Sequence, residues 1–139
     1  MKAKLSGDTL VIRGYVGEDI VEVIKKACEE NKVKAGCVTA IGAVDKCEMG
    51  AYSVAKKEYH KNLYEGEFEL VSLVGNISEK DGEVYTHFHV SIADKDGNIY
   101  AGHINYARIC VTLEAFVKVI DTKIDRELDE EIGINMIKF

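Results

Sequence analysis

Runs of β-branched and aromatic residues follow one another across most of this chain, and several are joined by connections too short to hold a crossover helix. They span Thr9 to Tyr15, Cys37 to Val44, Phe68 to Ile77, Val84 to Ala93, Asn98 to Tyr106 and Ile109 to Ile120. Glu79-Lys80-Asp81-Gly82 and Asp94-Lys95-Asp96-Gly97-Asn98 carry tight-turn residues between consecutive runs. Parallel neighbours need a long return path, so these runs are expected to pair as antiparallel hairpins. One segment departs from the strand pattern. From Glu18 to Asn31, the residues Ile20, Val23, Ile24, Ala27 and Cys28 recur along one helical stripe. Glu18 and Asp19 would open that helix at its positive end, and Asn31 is expected to stop it in a left-handed conformation. Near the C-terminus, Asp125 to Ile132 suits a short helix ended at Gly133, with Ile134 to Phe139 returning as a strand or an arm. The expected class is α+β, a mainly antiparallel sheet with one major N-terminal helix and a short C-terminal one.

Composition narrows the functions open to such a domain. The 139 residues are 47% apolar and 30% charged, which fits one globular domain over residues 1–139 with a core that needs no disulfide staples. No run approaches the roughly 18 to 20 uncharged apolar residues of a membrane span. The start Met1-Lys2-Ala3-Lys4 leads into Ser6-Gly7-Asp8 rather than an apolar signal core, so the expected location is the cytoplasm. Cys28, Cys37, Cys47 and Cys110 form no C-x-x-C pair and sit among apolar or small residues, so buried thiols are expected. Eighteen basic against 24 acidic side chains leave a net charge of −6, and Arg13, Arg108 and Arg126 are the only arginines. Affinity for nucleic acid comes largely from basic groups displacing counterions, so direct binding to it is not expected of this chain. No glycine falls in a G-x-G-x-x-G or Walker pattern.

The histidines carry the chemistry. His60 stands apart among lysines, whereas His87, His89 and His103 lie within 17 residues. Residues two apart on a strand share a face, so His87 and His89 point the same way. The place of His103 depends on the turn. A two-residue Asp96-Gly97 loop would pair Lys95 with Asn98 and send His103 to the opposite face. A three-residue Lys95-Asp96-Gly97 loop, with Gly97 left-handed, would pair Asp94 with Asn98 and set His89 opposite His103. Face composition favours the second register. It gathers Phe88, Val90, Ile92, Tyr100, Ile104 and Tyr106 on one face, and His87, His89, Ser91, Ala93, Ala101, His103 and Asn105 on the other. The first is a core face, and the second is small and polar, like the floor of a site.

Three neutral imidazoles converging above a sheet suit zinc ahead of iron, nickel or copper, and leave a coordination position open. The bland alternative is three polar residues satisfied on a half-exposed strand. Glu114 lies within the run Ile109 to Ile120 and Glu69 within Phe68-Glu69-Leu70-Val71. Either could orient a ligand histidine or act as a base near a metal, and either could instead be a carboxylate on a solvated strand face.

Taken in order, Gly66-Glu67-Phe68-Glu69-Leu70-Val71-Ser72-Leu73, Gly75-Asn76-Ile77, Asp81-Gly82, His87-Phe88-His89, Gly97 and Gly102-His103 resemble the PPC domain, the plants and prokaryotes conserved domain. Gly17-Glu18 and Ala40-Ile41-Gly42-Ala43-Val44 extend the resemblance over nearly the whole chain. The resemblance implies a homotrimer of α+β domains in which His87, His89 and His103 are metal ligands. It matches the single-domain prokaryotic type without an AT-hook, and this chain has no hook. A small cupin also uses H-x-H on a strand, but its later glutamate and proline-glycine turn have no counterpart here. Three functions are then expected to compete: a regulatory trimer holding a divalent metal or a small-molecule ligand, a zinc-dependent enzyme on a small substrate, and a DNA-associated protein.

Overall fold

The computed structural model describes residues 1–139. Its elements are β1 (Lys2–Ser6), β2 (Thr9–Gly14), α1 (Ile20–Glu30), β3 (Gly36–Ser53), β4 (Glu58–Lys80), β5 (Glu83–Ala93), β6 (Ile99–Val119), β7 (Asp125–Asp129) and β8 (Ile134–Lys138). As expected, the chain is mainly antiparallel sheet with one major helix. The runs Asn98 to Tyr106 and Ile109 to Ile120 are one continuous strand, β6, because no turn residue separates them.

Strands β3, β4, β5 and β6 pair in a closed cycle, each antiparallel to the next, with β6 returning to β3. Closure removes edges that would otherwise invite pairing with other chains. One side of β6 is shared by β5, which pairs with Ile99 to His103, and by β2, which pairs with Leu113 to Lys118. The stretch between them is met by the start of α1. Asp19 caps the helix by accepting from the Val21 N–H at 3.2 Å, and its Oδ1 also accepts from the Ala107 N–H of β6 at 3.2 Å. Gly17 and Glu18 exchange backbone hydrogen bonds with Ile109 at 2.8 and 3.0 Å. These contacts satisfy backbone groups that neither neighbouring strand reaches. Burial pushes the Asp19 carboxyl above its usual range, although its hydrogen bonds oppose that shift.

The predicted stripe of α1, Ile20, Val23, Ile24, Ala27 and Cys28, is buried against the sheet. Together with Leu10, Ile12, Val44, Leu73, Phe88, Ile92 and Leu113 it belongs to a core cluster of 25 residues. The helix ends differently from expectation. Asn31 keeps φ at −100°, and Lys32 takes the left-handed conformation at φ 57°. The Lys32 N–H then bonds to the Glu29 carbonyl and the Val33 N–H to the Cys28 carbonyl, which closes the last turn with Val33 and Cys28 both buried.

Two further expectations are corrected. Asp125 to Ile132 is not a helix: β7 and β8 form an antiparallel hairpin around Gly133, whose φ is 90°. Five acids in that stretch and an exposed Leu128 leave a helix no apolar stripe to bury. Cys28 and Cys47 are buried, with thiols pushed up to about 12 by desolvation, but Cys37 is exposed and Cys110 half-buried. Strand alternation explains Cys37, which sits between inward-facing Gly36 and Val38. Asp19→Ala is expected to cost about 1–3 kcal/mol, because it uncaps α1 and strands the buried Ala107 N–H. Asp19→Asn should recover most of that loss, as read from urea unfolding midpoints.

Candidate metal centre

The β5–β6 turn builds the site. The Asp94 N–H donates to the Asn98 carbonyl at 3.0 Å and the Gly97 N–H to the Asp94 carbonyl at 3.0 Å, with Gly97 left-handed at φ 81°. Asp94 Oδ1 accepts from the Asp96 and Asn98 N–H groups, both at 2.9 Å, and Oδ2 accepts from the Asn98 amide at 2.9 Å. This is the three-residue connection, and it pairs His89 with His103 across the strands.

Phe88, Val90, Ile92 and Ile104 face the core from these strands. Tyr106 does not join them. A register irregularity where β3 passes from Glu48 to Met49 shifts the alternation of β6, and Ala107 turns inward in its place. Val111, on the otherwise inward face with Ile109 and Leu113, is 67% exposed.

The three imidazoles meet on the outer face. Ring centroids lie 5.3 Å apart for His87 and His89, 5.2 Å for His87 and His103, and 5.6 Å for His89 and His103. One nitrogen from each lies within 4.8 Å of the others. Tetrahedral ligation at about 2.0 Å would bring such nitrogens to roughly 3.3 Å, a modest ring adjustment. His87 and His103 are half-buried and His89 is exposed. Burial, aided by the neighbouring imidazoles, holds His103 down to about 4. Burial, then the charges of Arg126 and His89, also lower His87. Both are therefore neutral near pH 7, the form that ligates a cation. His103 Nδ1 is buried without a hydrogen-bond partner, an orphaned polar atom in the imidazole cluster. The residues present fit a divalent transition metal ion.

Side chains from distant segments wall the site. The Tyr59 ring packs 5.1 Å from His103 and 5.5 Å from Tyr52, whose hydroxyl donates to the Ile132 carbonyl at 2.8 Å. Asn76 stands opposite His87, and Ser78 opposite Tyr85. Arg126 lies over the Tyr85 ring at 4.8 Å and donates to both Asn76 and Ser78. Sequence reasoning missed Tyr59, Asn76, Tyr85 and Arg126 as parts of this face. Asn76, opposite His87 in any β4–β5 hairpin through Asp81-Gly82, could have been found from register alone.

Glu69 and Glu114 are both exposed. Glu69 lies opposite Ala43 and Ala93, further along the β5 edge from His89. Glu114 lies opposite Arg13 and Ile41, on the same strand as His103 but eleven residues further along it. Neither belongs to the group of clustered ligand atoms. The outer face has another property. Val11, Phe116, Thr39, Val74 and His89 stand opposite one another on β2, β6, β3, β4 and β5. Val11, Phe116 and Val74 are 39%, 50% and 51% exposed, so a largely apolar row, interrupted by Thr39, runs up to the histidines.

The sequence model of the Plants and Prokaryotes Conserved (PCC) domain matches residues 1–121. No curated protein matches the chain in sequence. Solved structures do. A metal-containing protein from Archaeoglobus fulgidus is 32% identical with a TM-score of 0.88, each chain covered over 100% of its length. A plant- and prokaryote-conserved (PPC) protein from Pyrococcus horikoshii is 28% identical with a TM-score of 0.87, covering 99% of this chain and 96% of that one. A candidate DNA-binding protein from Bacteroides thetaiotaomicron is 25% identical with a TM-score of 0.96, over 99% and 96% of the two chains.

Gly75 lets β4 and β5 approach closely beside the site, since a Cβ there would overlap the His87 carbonyl oxygen. Gly75→Ala is expected to cost about 1–3 kcal/mol in unfolding free energy, as read from urea unfolding midpoints.

Proposed function

The chain belongs to the Plants and Prokaryotes Conserved (PCC) domain family, and from that premise we propose that it is a homotrimer holding a divalent transition metal ion, zinc first, on His87, His89 and His103. The observation that carries this reading is the convergence of three ligand nitrogens within 4.8 Å, on a face where His103 Nδ1 has no protein partner. The Archaeoglobus relative, described as metal-containing, supports it. Three histidine ligands would leave the ion an open, Lewis-acidic position for a small molecule.

The role proposed is regulatory or ligand-holding rather than hydrolytic. Hydrolysis at such a centre ordinarily uses a carboxylate base beside the ion, and Glu69 and Glu114 both stand outside the cluster. The charges acting on His87 and His103 come from Arg126 and the imidazoles themselves. The Bacteroides neighbour's description points to DNA, but a net charge of −6 weighs against direct binding by this chain.

The exposed apolar side chains of Val11, Phe116 and Val74, with Thr39 between the last two, support self-association, because exposed apolar surface gathered on one face marks an interaction site. Subunits meeting there would bring the histidine face to the edge of the interface.

Purified without a tag, the protein is expected to carry about one zinc per chain by elemental analysis, and His89→Ala should lose it. A folded wild-type protein that stays metal-free after incubation with zinc would contradict the reading. Sedimentation equilibrium should give about three times the 15.4 kDa chain mass, and Phe116→Asp should shift it toward the monomer; a wild-type monomer would overturn the trimer.

A further inference from the structure

Arg126 is 8% exposed and yet meets no carboxylate. Its Nε–H donates to Ser78 Oγ at 2.7 Å, Nη1 to the Asn135 carbonyl at 3.0 Å and Nη2 to Asn76 Oδ1 at 2.8 Å, all neutral oxygens. The acids flanking it on β7 are already engaged, Asp125 with Lys123 at 2.8 Å and Glu127 with Lys138 at 2.8 Å. A guanidinium carries five N–H groups, so these contacts leave two of them unassigned. A buried charge is costly unless something of opposite sign accompanies it.

The guanidinium also shares the face of the histidines. Asn76 pairs with His87 and Ser78 with Tyr85, and residues two apart on a strand point the same way. Arg126 therefore lies against the row next to His87. Imidazoles that ligate a cation contribute no charge, a divalent ion would add two positive charges, and Arg126 adds a third. No carboxylate pairs with Arg126, and none belongs to the histidine cluster.

We propose that the histidine face is an oxyanion-binding site, in which a small carboxylate-bearing molecule occupies the open position of the cation and is drawn there by Arg126. The proposal rests on the reading of His87, His89 and His103 as cation ligands. Guanidinium groups suit planar oxyanions through charge-assisted hydrogen bonds. Arg126 lies on the C-terminal hairpin, beyond the residues that the family model matches.

Cobalt(II)-loaded protein, titrated with acetate and followed by visible absorption, tests it. The spectrum of the wild type should shift saturably with acetate and not with acetamide, its neutral analogue. Arg126→Gln should keep one cobalt per chain and lose about tenfold or more in acetate affinity, while Arg126→Lys keeps most of it. A cobalt-loaded wild type that ignores acetate, or responds equally to acetamide, overturns the proposal, as does an Arg126→Gln protein that matches the wild type. Because the acetate and acetamide comparison uses the wild type alone, it stands even if Arg126→Gln fails to fold. Wild-type protein that takes up no cobalt overturns the cation reading itself, a result distinct from a loaded site without anion preference.

Discussion

The hydrogen bonds that Asp94 makes across the β5–β6 turn decide what the outer face of this protein can be. Its carboxylate holds the Asp96 and Asn98 N–H groups, its backbone pairs with Asn98, and Gly97 supplies the left-handed residue that lets the chain return after three positions. Side chains alternate along a strand, so a loop one residue shorter would turn His103 toward the core while His87 and His89 kept facing out. The candidate centre is thus a consequence of turn geometry, and the packing of Phe88, Val90, Ile92 and Ile104 on the reverse face holds the same register from beneath.

Closure of β3 to β6 into a cycle supports that arrangement. The outer face becomes a continuous surface on which an apolar row meets the imidazoles, and the stretch of β6 that no strand covers is satisfied by Asp19, Glu18 and Gly17. One surface therefore carries the histidine cluster and exposed apolar side chains side by side, with Val74 the cross-strand partner of His89.

What could be read from the sequence was whatever local rules determine. The α1 stripe, the Asp81-Gly82 turn and the His89 to His103 register all follow from periodicity and turn chemistry within a few residues. The long hairpin of β3 and β4 was not legible over residues 45–65, because its turn at Val54-Ala55-Lys56-Lys57 carries none of the usual turn residues and places Lys57 at φ 51°. Tyr59 reaches His103 only through that hairpin. Arg126 was hidden for a different reason: its partners Ser78 and Asn76 are 48 and 50 residues away, and the acid-rich segment around it read as a helix. The irregularity that exchanges Tyr106 for Ala107 lies in the pairing of two strands, which neither strand's own alternation records.

Charge separates the ways such a centre could be used. Neutral nitrogen donors, no carboxylate in the cluster and a buried guanidinium beside it suit holding an ion and an anionic partner better than running a hydrolytic cycle. The most direct measurement is X-ray absorption at the zinc edge of the metal-loaded protein in solution. The account predicts a first shell of three imidazole nitrogens at about 2.0 Å with one further light-atom donor. A sulfur-containing shell drawn from the more accessible thiols Cys37 and Cys110, or a six-oxygen shell of surface carboxylates and water, would contradict it.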